Sequence, residues 1–160
     1  MSQPFNIDPA SYSRFSFERS GRVLTAFIDS EHPVNGVDGP MHDELARIFT
    51  DLQRDDGSDI IILSGKGRAF CAGGDMDWFD EQIENPAVFR DIAWDAKRIV
   101  MSLLEMEKPI ICKLNGAAAG LGATIALLCD MVVADERAKI GDPHVKVGLV
   151  AGDGLSLIHI

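Results

Sequence analysis

The fold is decided by two glycine-rich segments, Gly65-Lys-Gly-Arg-Ala-Phe-Cys-Ala-Gly-Gly-Asp75 and Leu114-Asn-Gly-Ala-Ala-Ala-Gly-Leu-Gly-Ala-Thr-Ile-Ala-Leu-Leu-Cys-Asp130. The first follows an apolar run, Asp59–Ser64, that has the length and composition of a buried strand. The second continues a predicted strand, Pro109–Leu114, into a compact helix. In both segments small residues allow backbone N–H groups to approach a ligand without intervening side chains.

The sequence around these segments alternates between predicted strands and predicted helices. Such alternation predicts an α/β fold with right-handed crossovers and a largely parallel sheet covered by helices. The further predicted elements are a β-hairpin over Phe15–Arg19 and Arg22–Asp29, a helix capped by Asp38 with its apolar face from Met41 to Leu52, a helix from Pro86 through Leu103, a helix over Gly120–Cys129, and a strand over Met131–Ala134.

The composition indicates one globular domain. The chain has 160 residues, of which 46% are hydrophobic and 25% charged, enough for a single core. The net charge of −10 argues against nucleic acid as a partner, because phosphate binding needs clustered cations. The N-terminus lacks a leader pattern, and the longest apolar stretch, Leu121–Ala134, is too short to cross a bilayer. The 3 cysteines are typical of reduced thiols rather than disulfides or a zinc site. We therefore predict a cytoplasmic protein with no membrane partner and no metal.

Both glycine-rich turns are suited to binding negative charge. The helix N-terminus in the second turn adds unpaired N–H donors and a favourable dipole. Two such turns facing one cleft would form an oxyanion hole. A dinucleotide-binding fingerprint is disfavoured because Ile125 stands where a small residue is needed, and a P-loop because Ile60 stands where a glycine is needed. The remaining alternative is that these glycines serve only close packing of helix on sheet.

Together the motifs resemble the signature of the enoyl-CoA hydratase/isomerase (crotonase) superfamily. Its Ala-Phe-x-Ala-Gly-x-Asp loop is matched by Ala69–Asp75, and its Asn-Gly-x-Ala-x-Gly-x-Gly turn with a helix ending in Cys-Asp is matched by Asn115–Asp130. Its Pro-Glu-x-x-x-Gly-Leu segment is partly matched by Pro143–Leu149, and Val34–Leu45 resembles its Leu-Asn-Ala-Leu-Ser helix entry. The resemblance extends to Gly154. It implies a crotonase (ClpP/crotonase-like) spiral of ββα units around acyl-CoA.

The resemblance also implies roles for individual residues. The N–H groups of Gly74 and Leu121 would bind the thioester oxygen and stabilise an enolate. Coenzyme A would enter as part of the substrate, and no separate cofactor is expected. Trp78 and Phe79 are candidates for the wall of an acyl pocket, with buried filler as the alternative. The residues expected along the coenzyme A path are Gly36, Lys66, Arg68, Ala72, Asp75, Met76, Ala117 and Gly120, with Lys66 and Arg68 meeting the phosphates unless they form only a solvated basic turn.

Two positions depart from the family's pattern. Its hydratases use two glutamates as acid and base, and this chain has Thr124 and His144 at those positions. Because imidazole titrates near neutral pH, His144 is the candidate base, together with Asp153. Either Asp142 or Asp153 could orient the ring or serve as a second acid/base. The alternatives are a satisfied loop histidine for His144 and a helix N-cap for Asp153. One base fits isomerisation, decarboxylation or C–C cleavage better than hydration.

We therefore predict an acyl-CoA-processing enzyme that acts through a stabilised enolate. The alternatives are a β-dicarbonyl hydrolase on the same fold and a non-catalytic acyl-CoA-binding relative. The family usually forms trimers through a C-terminal helical region that this chain lacks, so we expect a homotrimer or hexamer of the complete protein and a poorly folded or inactive 160-residue chain. Residues 1–154 are predicted to form the crotonase-like core. Leu155–Ile160 is predicted to be a non-native tail, since it matches an in-frame translation of a common sequencing-adapter end.

Overall fold

The computed structural model describes residues 6–85, 87, 89–150 and 152. Asp153 and the tail from Leu155 to Ile160 lie outside the described residues. The strands and helices are, in chain order, β1 (Phe15–Ser20), β2 (Val23–Ile28), α1 (Gly39–Arg54), β3 (Ile60–Gly65), β4 (Ala69–Cys71), α2 (Met76–Glu84), α3 (Phe89–Leu104), β5 (Ile110–Leu114), β6 (Ala117–Ala119), α4 (Leu121–Leu128), β7 (Met131–Ala134) and β8 (Ile140–Gly141). Short 3-10 helices cover Pro9–Ser11 and His144–Val147.

The larger sheet of the described chain contains five strands in the order β1-β2-β3-β5-β7. The hairpin of β1 and β2 is antiparallel, and the pairs β2–β3, β3–β5 and β5–β7 are parallel. Each parallel pair is joined through helices, because parallel neighbours need a long crossover connection. The register aligns Ala26 with Leu63 and Leu63 with Cys112, all fully buried. The predicted α/β class and the largely parallel sheet are confirmed.

Helix α1 covers one face of this sheet as its sequence pattern predicts. The Asp38 side chain accepts a hydrogen bond from the Met41 N–H at 2.9 Å, which caps the helix. Along the helix, Leu45, Phe49 and Leu52 repeat at helical spacing and are completely buried. Each such side chain contributes roughly 1.5–3 kcal/mol relative to an exposed position, so this face anchors the helix on the sheet.

A second, three-stranded sheet in the order β4-β6-β8 was not predicted. Its strands are parallel, with Ala69 beside Ala117 and Ala119 beside Gly141. They are only two or three residues long, too short for a periodic pattern to mark them. Because β4 belongs to the first glycine-rich segment and β6 to the second, this sheet lays the two segments side by side.

The region between the first glycine-rich segment and β5 differs from the prediction. One long helix was expected to open at Pro86, but two helices are present and the second begins at Phe89. The Asp75 side chain caps the first, α2, by accepting from the Asp77 N–H at 2.9 Å. Pro86 itself lies outside the described residues. Helix α2 escaped detection because it starts directly after the glycine-rich loop and carries four acidic residues among its nine.

The three cysteines are buried free thiols. Cys71, Cys112 and Cys129 are buried and unbridged. Burial and the neighbouring Cys112 raise the pKa of the Cys129 thiol far above its usual value, the hydrogen bond with Cys112 being the larger cause. These thiols are therefore core side chains. No helix in the described part of the chain has the length and apolarity needed to cross a membrane.

Candidate active site

The first glycine-rich segment is held in place by the side chain of Asn35. Its amide nitrogen lies 3.0 Å from the carbonyl oxygens of Lys66 and Ala69 and 3.1 Å from that of Phe70. Asn35 is buried and has a positive φ of 53°, a conformation that asparagine tolerates better than most residues. The loop before α1 is thereby linked to the turn that follows β3.

A second asparagine links the two glycine-rich segments to each other. The side-chain oxygen of Asn115 accepts from the Gly65 N–H at 3.0 Å, and its amide nitrogen donates to the Gly67 carbonyl at 3.1 Å. Both partners lie on the first segment, whereas Asn115 begins the second. The relative position of the segments is thus fixed by side-chain hydrogen bonds as well as by the β4–β6 pairing.

The glycines of the two segments pack so closely that side chains would not fit. A Cβ atom on Gly73, which has a φ of 87°, would lie 2.8 Å from the Ala119 carbonyl oxygen. A Cβ atom on Gly122 would lie 2.2 Å from the Cys71 carbonyl oxygen. Close packing is therefore one role of these glycines, and the same close approach brings the two turns to one place.

The N–H groups of Gly74 and Leu121 lie where these turns meet. Gly74 forms a parallel bridge with Val37, in which Val37 donates to the Gly73 carbonyl at 2.8 Å and Asp75 donates to the Val37 carbonyl at 2.9 Å. That pattern leaves the Gly74 N–H on the side away from Val37. Leu121 opens α4, so its N–H has no partner within the helix. Among residues 6–85, 87, 89–150 and 152, neither N–H makes a hydrogen bond.

Gly74 and Leu121 line the same cavity, which has a volume of about 560 Å³. Side chains of α2 and α3 form much of its wall and are apolar apart from Gln82, and the volume suits a small-molecule ligand. Trp78 and Phe79 both belong to this wall. The other apolar side chains that α2 and α3 contribute are Ile83, Phe89, Ile92, Ala93 and Ala96.

His144 reaches the cavity from the 3-10 helix that it begins. Its backbone N–H donates to the Asp142 carboxylate at 3.1 Å, and its ring Nδ1 contacts the same oxygen. Because a carboxylate accepts only, this contact assigns the ring proton to Nδ1 in the neutral tautomer and the lone pair to Nε2. The Nε2 edge faces the second turn, 3.7 Å from the position that a Cβ on Gly120 would occupy. Asp142 thus takes the orienting position that the sequence suggested.

Two residues singled out in the sequence serve the fold instead. Thr124 is completely buried, and its hydroxyl lies 3.4 Å from the Gly120 carbonyl one turn earlier. Asp130 accepts from the Ile110 N–H at 2.9 Å and so fixes the start of β5. Both side chains therefore stabilise local structure.

Comparison with known proteins identifies the family. A model of the family Enoyl-CoA hydratase/isomerase matches residues 18–160. The chain belongs to this family. The 1,2-epoxyphenylacetyl-CoA isomerase of Escherichia coli (strain K12) is 35% identical over 136 residues, which cover 82% of this chain and 51% of that protein. The mevalonyl-coenzyme A hydratase SIDH of Beauveria bassiana (strain ARSEF 2860) is 33% identical over 138 residues, which cover 82% of this chain and 49% of that protein.

The solved structures agree. A crystal structure of an enoyl-CoA hydratase/isomerase from Mycobacterium paratuberculosis aligns with a TM-score of 0.84 and 29% identity, covering 91% of this chain and 63% of the other. The resemblance inferred from the sequence and the crotonase-like α/β fold are therefore confirmed. The chain spans about half the length of the curated relatives it matches.

Four residues of the family's predicted coenzyme A path surround the Val37–Gly74 bridge. Gly36 and Asp75 flank the bridge directly, and the Ala72 N–H donates to the Val34 carbonyl at 3.1 Å. Met76, the first residue of α2, is 52% exposed. Gly36 itself is buried, whereas Ala72 and Asp75 are partly exposed.

The other path residues are more dispersed. The Lys66 ammonium pairs with Glu18 at 2.9 Å and lies 3.8 Å from the centre of the Phe27 ring, so its charge is already engaged. Arg68 is exposed. Ala117 is exposed on β6, and Gly120 precedes α4 with a φ of 51°. Gly120 lies next to the His144 ring. Lys66 directly follows β3 and pairs with Glu18 on β1.

Sequence reasoning missed His42. This residue is 4% exposed, lines the cavity, and packs its ring against Trp78 at a centroid distance of 5.3 Å. Burial lowers the pKa of His42 below its usual value of 6.5, although Asp95 and Asp43 oppose that shift. The sequence did carry a signal for the burial of His42, because this residue shares the helical spacing of Leu45 and Phe49 on the buried face of α1.

Proposed function

We propose that this chain binds an acyl-CoA thioester and stabilises its enolate between the N–H groups of Gly74 and Leu121, with His144 transferring the α-proton. The observation that supports this proposal most is the shared cavity: two unpaired N–H donors and an oriented imidazole line the same apolar space. Family membership supplies the substrate class, since the matched family is named for enoyl-CoA chemistry.

In the proposed step, His144 Nε2 takes a proton from the carbon next to the thioester. The C–H electron pair becomes the enolate double bond, and the carbonyl electrons move onto the thioester oxygen. The two N–H groups stabilise the charge as it develops, and the loss of one such donor typically costs about 10²–10³ in rate. Return of the proton from His144 to a different carbon of the conjugated system completes an isomerisation.

A single-base reaction fits this site better than water addition. Hydration by the family's two glutamates needs two carboxylates at the reacting carbons, and Thr124 and His144 occupy those positions. The Thr124 hydroxyl is buried against Gly120 and so cannot replace a carboxylate in proton transfer. The Escherichia coli relative is named an isomerase, which agrees with one mobile proton.

The surface beside the cavity is the proposed path of coenzyme A. Gly36, Ala72, Asp75 and Met76 would contact its adenine end, and Arg68 would meet a phosphate. Lys66 would first have to leave Glu18. We further propose that the complete protein is cytoplasmic and assembles as a homotrimer or hexamer, as the family usually does.

The test is exchange of the α-protons of a saturated acyl-CoA in D₂O, followed by NMR with the complete protein. His144→Ala should abolish exchange. Gly74→Pro removes the N–H, but a Cβ there would meet the Phe79 ring at 2.3 Å. Both Gly74→Pro and its control Gly74→Ala are therefore made with Phe79→Leu, which opens space. We expect a loss of about 10²–10³ for proline relative to alanine.

Three outcomes separate the candidate functions. Equal exchange in the proline and alanine variants would refute the oxyanion assignment. Tight binding of acyl-CoA with no exchange by the wild type would support a non-catalytic binding protein. Cleavage of a β-diketone without exchange of a thioester would support the β-dicarbonyl hydrolase.

A further inference from the structure

His42 is a buried polar side chain that the mechanism above does not use. It projects from α1 into the wall of the cavity, and only 4% of its surface is exposed. Its Nδ1 atom is enclosed and has no hydrogen-bond partner among the described residues. Buried polar groups in folded proteins are nearly always paired, and because the enclosed Nδ1 cannot be reached, any hydrogen bond from this ring to a ligand must use Nε2.

The ring is neutral and has a defined donor. Burial lowers its pKa, so the uncharged form dominates at neutral pH. Nδ1 has no acceptor to receive a proton, whereas Nε2 is not enclosed in the same way. The proton therefore belongs on Nε2, which makes the ring a hydrogen-bond donor that no described protein group satisfies.

The cavity near His42 is mainly apolar, although it includes Gln82, whose side-chain amide donates to the Trp78 carbonyl at 3.2 Å. Trp78 packs against the ring, and Val37, Phe89 and Ile92 line the same space. An acyl group that fills this space must be bulky and mostly apolar. A donor placed in such a wall recognises one oxygen and penalises ligands that leave it unpaired.

Two acidic residues also lie near the ring. Ligand atoms of His42, Asp43 and Asp95 all lie within 4.8 Å of one another, an arrangement that a divalent cation could use. Asp43 is exposed, however, and Asp95 is already paired with Arg98 at 3.3 Å. The cavity side therefore explains the buried ring better than a cation does.

We propose that His42 is a specificity-determining residue that donates a hydrogen bond to an oxygen of the acyl group, so that the site prefers bulky, largely apolar acyl thioesters bearing a hydroxyl or carbonyl oxygen. This inference rests on the proposed function, because it assumes that the cavity holds the acyl part of an acyl-CoA. It adds the substrate class, which the two N–H donors and His144 leave open.

The test compares 3-phenylpropionyl-CoA with its three ring-hydroxylated isomers in the complete protein. Dissociation constants are measured calorimetrically for the wild type, His42→Leu and His42→Gln. We expect the wild type to prefer at least one hydroxylated isomer by about 3- to 10-fold. Leucine should abolish that preference, and glutamine, which keeps a donor, should restore part of it. Because the readout is a ratio between ligands on one variant, a general loss of packing cannot mimic the result.

The outcomes distinguish this inference from the proposed function. If all thioesters bind and exchange α-protons but no hydroxylated isomer is preferred, or if the preference survives in His42→Leu, the inference is refuted and the proposed function stands. If no thioester binds or exchanges, both are refuted. Zinc binding that is lost in both His42→Leu and Asp95→Asn would assign the ring to a cation and would also overturn the inference.

Discussion

Replacing Gly122 by alanine tests whether close packing of the two turns sets the reaction rate. A Cβ atom there would lie 2.2 Å from the Cys71 carbonyl oxygen and 2.7 Å from the Cys71 Cβ atom. Both obstacles belong to β4 at or next to its backbone, so no flexible side chain can move aside. Relief of the clash requires the start of α4 to shift by about 1 Å away from β4.

The stability cost follows from two opposing terms. Overpacking of a rigid core site costs about 1–3 kcal/mol. Alanine in a helix offsets this by up to about 1 kcal/mol relative to glycine. We therefore expect Gly122→Ala to lower the free energy of unfolding by about 1–2 kcal/mol, which leaves the protein folded.

The effect on rate should be larger than the effect on stability. Leu121 immediately precedes the substituted residue, so its N–H moves with the helix relative to Gly74. A misplacement of about 1 Å at a reacting centre can lower a rate by about 10². We expect Gly122→Ala to slow α-proton exchange by about that factor, with urea unfolding measured in parallel.

The matched control is Gly141→Ala, where a Cβ atom would meet nothing within 4 Å. This variant should match the wild type in stability and exchange. Wild-type exchange in a destabilised Gly122→Ala protein would refute the link between packing and rate. Unchanged stability and unchanged exchange together would show that the two turns do not pack as described.

Two further predictions concern the supports of the site. Burial alone would raise the pKa of Asp38, but hydrogen bonds from Arg14 and the Met41 N–H outweigh it, and the pKa lies below its usual 3.8. The stabilisation of the folded protein by the Asp38 carboxylate is therefore complete above pH 3.8, and it is lost as the pH falls through the lower pKa of the folded state. Asp38→Ala should cost about 1–2 kcal/mol in urea unfolding at pH 7. Asp38→Asn keeps the cap but loses the ion pair with Arg14, so it should cost less and remove the acid dependence; equal losses in both variants would contradict the capping role. Asn115→Ala should cost about 1–3 kcal/mol because the Gly65 N–H loses its acceptor, and Asn115→Asp, which keeps that acceptor, should cost less; the reverse order would show that donation to Gly67 is the stronger contact.

Much of the fold was readable because each element had a local signal. Strand β3 is an unbroken apolar run, and the apolar face of α1 repeats at helical spacing behind the Asp38 cap. Strands β4, β6 and β8 had none, because two or three residues are too few to show a period and these strands depend on their neighbours. Helix α2 was missed because it begins directly after the glycine-rich loop.

The candidate site divides in the same way. Gly74, Leu121 and His144 were named from sequence motifs, and the structure places all three around one cavity. His42 could not be assigned a role, because its position in the cavity wall depends on α2, which was itself not predicted. The pairing of Lys66 with Glu18 spans 48 residues, and no local pattern reports a contact at that separation.

The asparagine links have a consequence for folding. Asn35 and Asn115 join residues that are 31 to 50 positions apart in the chain. Contacts of such separation form late, since the intervening loop must lose its entropy before any contact offsets that loss. The proposed ligand site is therefore incomplete while only β1, β2 and α1 are folded. It forms once β5 has paired and Asn115 contacts the turn after β3. Ligand protection against proteolysis should accordingly appear only in the last phase of refolding.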